Sequence, residues 1–327
     1  MLKLICWRAV LLLAAVSSVL LTPLTAMAQK LSDRPITIVV PTTPGVTMDF
    51  LARMLAEELK QRWGQAVVVE NKAGASHSIA ILAVTRAEPD GHTLLSAANT
   101  LTTNVGLFKT MPYDPVKGLA PIVKMATSAM ALAVNPSVPA KSVREFIDYA
   151  NKHPGQVHYA STGQGTPQHL AMELFKLATG VDVGHVPYPG SAGALRDLVG
   201  GFVNAMFIPA HSALSLAAGN KIRLLAISGP KRSPHTPDVP TLAEAGVSSI
   251  LVDSWYGLLA TGGTSKEIVE RYNKVVNEFL ASPKGQSELA KQGLTPEGGS
   301  AAEFSELIVK DLARWTAVVK EAGIVPN

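Results

Sequence analysis

The sequence predicts an α/β protein built from two strand-and-helix units and a helical C-terminal segment. Its 327 residues are about twice the length of an average domain, ~150 residues. Short apolar runs rich in β-branched residues alternate with segments of helical periodicity, which is typical of a sheet covered by helices. With 47% apolar and 17% charged residues, the chain can bury a core and does not have the composition of a disordered protein.

The first unit begins with residues 36–40, a continuous run of Ile, Thr and Val. Such a run predicts a strand buried on both faces. A turn at 41–45 leads to a helix in which Leu51 and Leu55 repeat at helical spacing. The alternation predicts a parallel sheet. The further elements of this unit are strands at 67–69 and 93–96 and a helix at 79–86.

The pattern restarts after Pro121 and continues to a proline-rich connection at 230–240. Thr166 and Pro167 open one of its helices, because the amide that proline lacks has no partner at the first helical position. The end of the chain is predicted to be mostly helical. The predicted strands lie at 129–134, 157–160, 183–186, 205–208 and 222–227, and the predicted helices at 142–152, 166–179, 192–199, 266–280, 284–292 and 301–322.

The N-terminal segment has the pattern of a secretory signal peptide. Lys3 and Arg8 precede an apolar run at 9–21, and Ala26-Met27-Ala28 supplies an A-x-A cleavage site. We therefore predict that residues 1–28 are a signal peptide, cleaved after Ala28; the alternative is an uncleaved membrane anchor. The single cysteine, Cys6, lies in this segment, so the exported chain relies on its core and not on disulfides. Export to a bacterial periplasm is expected.

Charge and histidine spacing exclude several classes of function. The 29 Lys and Arg residues exceed the 25 Asp and Glu residues by a net charge of only +4. They are scattered, whereas a nucleic-acid-binding protein concentrates basic residues in a stripe. We therefore expect no nucleic-acid partner. The eight histidines form no H-E-x-x-H motif, so we expect no metal site. No cofactor is expected either. An exported protein of two α/β units suggests a two-lobed binding protein, with its ligand beyond the carboxyl ends of the strands.

The first candidate junction of strand and helix lies at residues 41–49. Thr42, Thr43 and Thr47 offer hydroxyl groups, and Gly45 allows a ligand to approach the backbone closely. Asp49 falls in the first helical turn. It either contacts a ligand or only complements the helix dipole.

The second candidate junction lies at residues 161–167, where small residues join a strand to a helix. Backbone amides at such a helix N-terminus suit a carboxylate or a phosphate, with Ser161, Thr162, Gly165 and Thr166 around the anion. The alternative is an ordinary turn in which Thr166 caps the helix. His169, in the first helical turn, either approaches the ligand or packs in the core.

A secreted serine hydrolase is the rival class, with Ser191 or Ser161 and one of the histidines. Its motif is incomplete, because Pro189 occupies the first position of a G-x-S-x-G nucleophile elbow. No catalytic residue is therefore assigned. Trp255 and Tyr256 either stack on a ligand or form a buried aromatic pair between the domains.

A series of short motifs, in order along most of the chain, resembles the Bug family, the periplasmic solute receptors of tripartite tricarboxylate transporters. The resemblance implies a type II periplasmic binding protein fold, whose two lobes close on a small carboxylate across a central cleft. It also implies that the loops at 41–49 and 161–166 clamp the carboxylate through backbone amides and bridging waters. The motifs are Arg34-Pro35-Ile36, Pro44-Gly45, Val69-Glu70-Asn71-Lys72-Ala73-Gly74-Ala75, Pro89-Asp90-Gly91-His92, Met111-Pro112-Tyr113-Asp114-Pro115, Ser161-Thr162-Gly163, Gly165-Thr166-Pro167, His185-Val186-Pro187-Tyr188, Pro237-Asp238-Val239-Pro240-Thr241 and Trp255-Tyr256-Gly257.

Three departures from the family pattern bear on the ligand. Val46 stands where the family usually has a second glycine, and His77 lies in a stretch that is usually richer in glycine. The amino-acid-binding members carry an aspartate where this chain has Ile208. Because an ammonium group would lack its carboxylate partner there, we expect a carboxylate without an amino group, aromatic or dicarboxylic.

The resemblance implies a receptor that is not an enzyme and that delivers its ligand to the membrane permease subunits of the transporter. We expect a monomer, with lobe one at 29–130 and 253–327 and lobe two at 131–252. The alternative within the same fold is a carboxylate sensor that acts in signalling.

Overall fold

The computed structural model describes residues 31–229, 231–247, 250 and 252–325. The predicted signal peptide and its cleavage site after Ala28 lie outside these residues. None of the described helices has the length and apolar composition needed to cross a membrane.

Strands and helices alternate over the first two thirds of the chain, and helices dominate its end. Two 3₁₀ turns, Ala75–His77 and Asn104–Gly106, lie in loops. The strands are β1 Ile36–Val40, β2 Val67–Asn71, β3 Thr93–Ala98, β4 Leu119–Val134, β5 His158–Ser161, β6 Gly184–Pro187, β7 Ala205–Pro209, β8 Arg223–Ile227, β9 Asp253–Thr261 and β10 Thr295–Pro296. The helices are α1 Thr47–Trp63, α2 Ser78–Thr85, α3 Thr100–Thr103, α4 Val143–Lys152, α5 Pro167–Thr179, α6 Ser191–Gly200, α7 Ala210–Ala218, α8 Lys266–Ala281, α9 Pro283–Lys291 and α10 Ala301–Glu321.

The sheet is mixed, with the strand order β2-β1-β3-β9-β4-β7-β5-β6, and β8 and β10 pair with β4. The predicted parallel pairing is found in β2-β1-β3 and in β6-β5-β7. The middle of the sheet differs, because β9 runs antiparallel to both β3 and β4. Sequence patterning missed β9, whose centre is Gly257. A Cβ atom at Gly257 would lie 2.3 Å from the ring of Phe304, so packing requires a glycine in the strand interior.

Strand β4 belongs to both halves of the sheet. Its residues from Leu119 to Ala129 pair with β9, and those from Met130 to Val134 pair with β7 and β8. We call the structure around β1, β2, β3 and β9 lobe one, and that around β5, β6, β7 and β8 lobe two. The chain passes from lobe one to lobe two along β4 and returns to lobe one before β9.

Each lobe has its own apolar core. In lobe one α1 and α8 pack on the sheet, and in lobe two α4 and α5 do so. Helix α10 joins the two cores: Phe304 and Ile308 pack in lobe one, whereas Trp315 and Val318 pack in the core of lobe two. The residue boundaries of the lobes stay a prediction.

The lobes also touch through two glycines. A Cβ atom on Gly165 would lie 2.6 Å from the carbonyl carbon of Gly106 and from the backbone nitrogen of Leu107. Gly106 ends the second 3₁₀ turn of lobe one, and Gly165 lies in the loop after β5 of lobe two. Because only glycine allows this approach, the backbones of the two lobes are in direct contact here.

Replacing Gly165 by alanine should push the lobes apart at this contact. Gly180 is a matched control: its φ of +70° equals that of Gly165 (+72°) within a few degrees, but it has no neighbour within 4 Å of a new Cβ. We expect Gly180→Ala to lower the free energy of unfolding by about 1 kcal/mol, from the left-handed conformation alone. Gly165→Ala should cost a further ~1–3 kcal/mol from overpacking. Equal losses in urea denaturation would show that the contact is not tight.

Candidate functional site

A cleft of about 530 Å³ lies between the lobes. Its volume falls in the range of small-molecule sites. Lobe one contributes the loop after β1 and the first 3₁₀ turn, and lobe two contributes the loop after β5, the end of β7 and the starts of α6 and α7. The lining includes Pro41, Thr42, Thr43, Val46, Thr47, Ser76, His77, Asn99, Thr100, Thr162, Thr166, Gln168, Gly190, Ser191, Met206, Ile208, Pro209, His211, Ser212, Ser254 and Tyr256.

Helix N-termini without side-chain caps converge on this cleft. Away from it, α4, α8, α9 and α10 begin at serines whose hydroxyls accept a backbone N–H bond, namely Ser142, Ser265, Ser282 and Ser300. At the cleft the first-turn backbone N–H groups of α1, α5, α6 and α7 have no side-chain cap and remain available as donors, and the positive ends of the helix dipoles face the same space. Helix α2 differs, because the N–H of its first residue, Ser78, donates to the Ala75 carbonyl. The N-cap residues of the described helices other than α4, α8, α9 and α10 accept no such side-chain bond, and all of them line the cleft: Val46, His77, Asn99, Thr166, Gly190 and Pro209.

The cleft has no charged wall. Among the described residues that line it, none is Asp, Glu, Lys or Arg. An anion would therefore be met by backbone amides and hydroxyl groups, whereas a buried ammonium group would have no carboxylate to pair with.

Asp49 holds the loop of lobe one from behind. It is 3% exposed, and its Oδ2 accepts bonds from the Gly45 N–H and the Arg53 Nε, both at 2.9 Å. Its Oδ1 accepts from Arg53 Nη2 and from Asn71 Nδ2, and the Asn71 amide also donates to the Thr42 carbonyl. The hydrogen bond from Arg53 is the main cause that lowers the pKa of Asp49 to about 2. The carboxylate is thus occupied and fixes the loop.

The loop of lobe two is held by its own hydroxyl groups. Ser161 has no exposed surface; its Oγ accepts from the Gly163 N–H at 3.1 Å and lies 2.7 Å from His185 Nε2. The Thr166 hydroxyl donates to the Gly163 carbonyl at 2.7 Å. Thr166 is the N-cap residue, but its hydroxyl turns to the loop and does not cap the helix, so the helix amides stay free.

Two stacked histidines support the same loop. The Gly165 N–H donates to His169 Nδ1 at 3.0 Å, and the ring centroids of His169 and His185 are 4.2 Å apart. Burial lowers the pKa of both rings to about 4. Both are therefore neutral at pH 7, as the acceptor role of His169 requires.

The 3₁₀ turn that presents His77 is strained. Ala75, Ser76 and His77 all have positive φ angles, of 44°, 48° and 73°, which costs non-glycine residues on the order of 1–3 kcal/mol each. The Ser76 carbonyl accepts a bond from Asn104 Nδ2 at 2.9 Å, which helps to hold the turn. Burial lowers the pKa of His77 to about 4, so its ring faces the cleft as a neutral imidazole.

The structure brings most of the predicted site residues to the cleft. Those that do not line it lie behind the two loops, where Gly45, Asp49, Ser161, Gly165 and His169 make the supporting contacts described above. As ligand contacts, all of these residues stay predictions. The predicted residues that line the cleft are Thr42, Thr43, Val46, Thr47, His77, Thr162, Thr166 and Ile208.

Sequence reasoning missed His211, which lines the cleft from the first turn of α7. It lies two residues after the end of β7, so the rule that ligands lie beyond strand ends could have found it. Tyr256 also lines the cleft. Trp255 instead points into the protein, where its indole N–H donates to Asp311 Oδ2 at 2.8 Å.

A second groove, of about 520 Å³, lies on lobe two alone. It differs from the cleft because Arg223 and Asp238 line it beside His235. Within the part of the chain that the structure describes, no three His, Cys, Asp or Glu side chains are grouped to hold a metal ion.

The profile of one protein family, described as Tripartite tricarboxylate transporter family receptor, matches residues 51–324. Protein BugT of Bordetella pertussis is 35% identical over 292 residues, which cover 89% of this chain and 90% of BugT. The solved structure of R. palustris Rpa4515 with adipate is 38% identical and has a TM-score of 0.82, covering 90% of this chain and 99% of that one. MatC from Rhodopseudomonas palustris with bound malate is 31% identical with a TM-score of 0.76, covering 88% and 99%. The description of the matching family is that of a receptor and not of an enzyme.

Asp49→Asn should loosen the loop of lobe one, because the amide cannot accept all the bonds of the carboxylate. We expect the free energy of unfolding to fall by about 2 kcal/mol, as for loss of a buried charge-assisted bond. Asp148→Asn is the matched control: Asp148 forms an exposed pair with Arg144, also four residues away on a helix, and such pairs contribute ~0–1 kcal/mol. Equal effects of the two substitutions would contradict the assigned role.

The stacked histidines should make stability depend on pH. Their folded pKa of about 4 lies below the unfolded value of ~6.5, so the unfolded chain binds protons first. The stability that the neutral rings contribute is therefore fully present above pH 6.5. It is lost as the pH falls toward 4, at up to ~1.4 kcal/mol per pH unit for each histidine.

Urea denaturation at pH 7.5 and at pH 5 tests this dependence. The free energy of unfolding should differ less between the two pH values in H169Q/H185Q than in the parent. Asp253, whose pKa burial raises to about 6, acts in the opposite direction in both proteins. His235→Gln is the control, and an unchanged difference in the double variant would contradict this account.

Proposed function

The chain belongs to the tripartite tricarboxylate transporter receptor family, and from that premise we propose that its cleft binds a small organic carboxylate without an amino group. The proposal rests mainly on one observation: helix N-termini without side-chain caps face the cleft, and no charged side chain lines it among the described residues. Backbone amides there can bind a carboxylate at the positive ends of the helix dipoles. Adipate and malate, the ligands of two relatives, are dicarboxylates without an amino group, which supports the same class for this chain.

Ile208 supports the exclusion of amino acids. It is 1% exposed and lines the cleft beside the start of α7, where an aspartate would be needed to pair with an ammonium group. Without such a partner, burial of the ammonium costs several times the energy of a hydrogen bond. A hydroxyl group in the same place can bond to the threonines and serines of the lining.

Closure of the lobes on the ligand is the proposed signal of the loaded state. Helices α1 and α2 of lobe one and helices α5, α6 and α7 of lobe two all begin at the cleft, so one ligand can bind to both lobes at once. A ligand that binds both lobes favours the closed arrangement over the open one. Bending at β4 and before β9 would separate lobe one, 29–130 and 253–327, from lobe two, 131–252.

The same proposal covers export and delivery. The N-terminal pattern supports a signal peptide cleaved after Ala28 and a periplasmic location, and the family description supports membrane permease subunits of a tripartite transporter as partners. We propose that the receptor acts as a monomer.

Calorimetry with malate and aspartate tests this assignment, because malate carries a hydroxyl group at the position where aspartate carries an ammonium group. We expect malate to bind at least tenfold more tightly, since the cleft has no partner for the ammonium. At 100 times its dissociation constant, a ligand should raise the free energy of unfolding by ~2.7 kcal/mol. Equal affinity for aspartate would overturn the argument from Ile208 but keep the receptor. Failure of malate, adipate, succinate and benzoate alike to bind would overturn the carboxylate assignment.

A further inference from the structure

The imidazole of His211 connects both lobes and strand β4, which they share. It belongs to α7 of lobe two; its Nε2 lies 3.1 Å from Oγ1 of Thr47, the first residue of α1 in lobe one. Its Nδ1 lies 2.9 Å from the Oγ of Ser128. Ser128 pairs with Ser254 where β4 and β9 approach the boundary between the lobes.

Packing fixes this ring in place. A Cβ atom on Gly293 would lie 2.9 Å from the Cβ of His211, so the backbone of lobe one presses against this side chain. The edge of the Tyr256 ring faces it, at 6.4 Å between centroids and 70° between planes. Burial lowers the pKa of His211 to about 4. At pH 7 the ring is therefore neutral and has one N–H donor.

The distances around Ser128 assign that donor. The Ser128 hydroxyl has one proton and two acceptors, Nδ1 of His211 at 2.9 Å and the Ala129 carbonyl at 3.4 Å. The shorter bond is the stronger one, and 3.4 Å exceeds the usual range for a hydroxyl donor. Nδ1 therefore accepts the hydrogen bond from Ser128. Nε2 carries the ring proton and donates a hydrogen bond to Thr47 Oγ1.

We propose that His211 is a positioning residue, which orients the Thr47 hydroxyl so that its proton points into the cleft and is donated to the bound carboxylate. This inference rests on the proposed function. Thr47 stands at the open N-terminus of α1, where the amides of the first turn meet the same anion. The Tyr256 hydroxyl also lies within bonding reach of Thr47, so the proton has an acceptor before a ligand arrives.

The hydrogen-bond chain runs in one direction, from Ser128 to His211, to Thr47 and to the ligand. Each bond in such a chain polarises the next, so a carboxylate at its end strengthens the bond between His211 and Thr47. That bond joins α7 of lobe two to α1 of lobe one. Occupation of the anion site is thereby coupled to the contact between the lobes.

The tautomer can be measured without any ligand. Nitrogen-15 NMR of the histidine side chains at pH 7, in the exported protein purified from the periplasm, should show His211 protonated at Nε2. The signal is assigned by its loss in His211→Gln. Protonation at Nδ1 would overturn the inference. This result holds whether or not a carboxylate binds, so it separates failure of this inference from failure of the proposed function.

A double-mutant cycle tests the coupling, with malate as the probe. Thr47→Val and His211→Phe should each weaken malate binding about tenfold, as for one bond to a charged group. The double variant should be within about twofold of the single ones, because His211 acts only through the Thr47 hydroxyl and its loss adds nothing once that hydroxyl is removed. An additive loss of about a hundredfold would overturn the proposal.

Two further variants exclude a merely structural effect. His211→Gln keeps a terminal N–H donor and should bind malate within about threefold of the parent. Thr43→Val is the matched control for Thr47→Val, since Thr43 lines the cleft without a bond to His211. The losses of malate affinity in Thr43→Val and His211→Phe should add in the double variant. A non-additive loss, or a His211→Gln variant that binds malate as weakly as His211→Phe, would contradict the proposed hydrogen-bond chain.

Discussion

A carboxylate in this cleft must be held by backbone amides together with hydroxyl groups, because none of the described lining residues is cationic. The rest of the site depends on keeping those amides free. Serine caps on α4, α8, α9 and α10 show that this chain caps helices where no ligand is expected. Asp49, in the first turn of α1, could compete for the same amides. Arg53 and Asn71 instead hold its carboxylate against the loop, so the helix N-terminus stays open.

Contacts between the lobes position the two sets of amides relative to each other. Gly106 and Gly165 meet backbone to backbone, and His211 bridges to Thr47 at a separate place. Helix α10 packs in both cores, so it must shift against at least one of them if the lobes open. Because these contacts involve few side chains, a ligand that adds bonds from both lobes can change the balance between open and closed arrangements.

Local patterns predicted much of the fold and two of the loops that line the cleft. The β-branched run at Ile36–Val40 and the serine-capped α4 carry their signals within a few residues. Strand β9 does not, because Gly257 is present for the Phe304 ring, which comes from a distant helix. The loops at 41–49 and 161–167 could be identified as strand-to-helix junctions. His211 could not be linked to Thr47, its partner 164 residues away, since no periodicity connects them.

Backbone amide NMR during titration with malate detects which amides bind the anion. If the uncapped helix N-termini hold the carboxylate, the amides of Thr47 and Met48 in α1 and of Gln168 in α5 should show large chemical-shift changes. The serine-capped first turns of α4 and α8 should not shift and serve as internal controls. Malate binding that leaves the α1 and α5 amides unchanged, or that shifts only the groove around Arg223 and Asp238, would contradict the account.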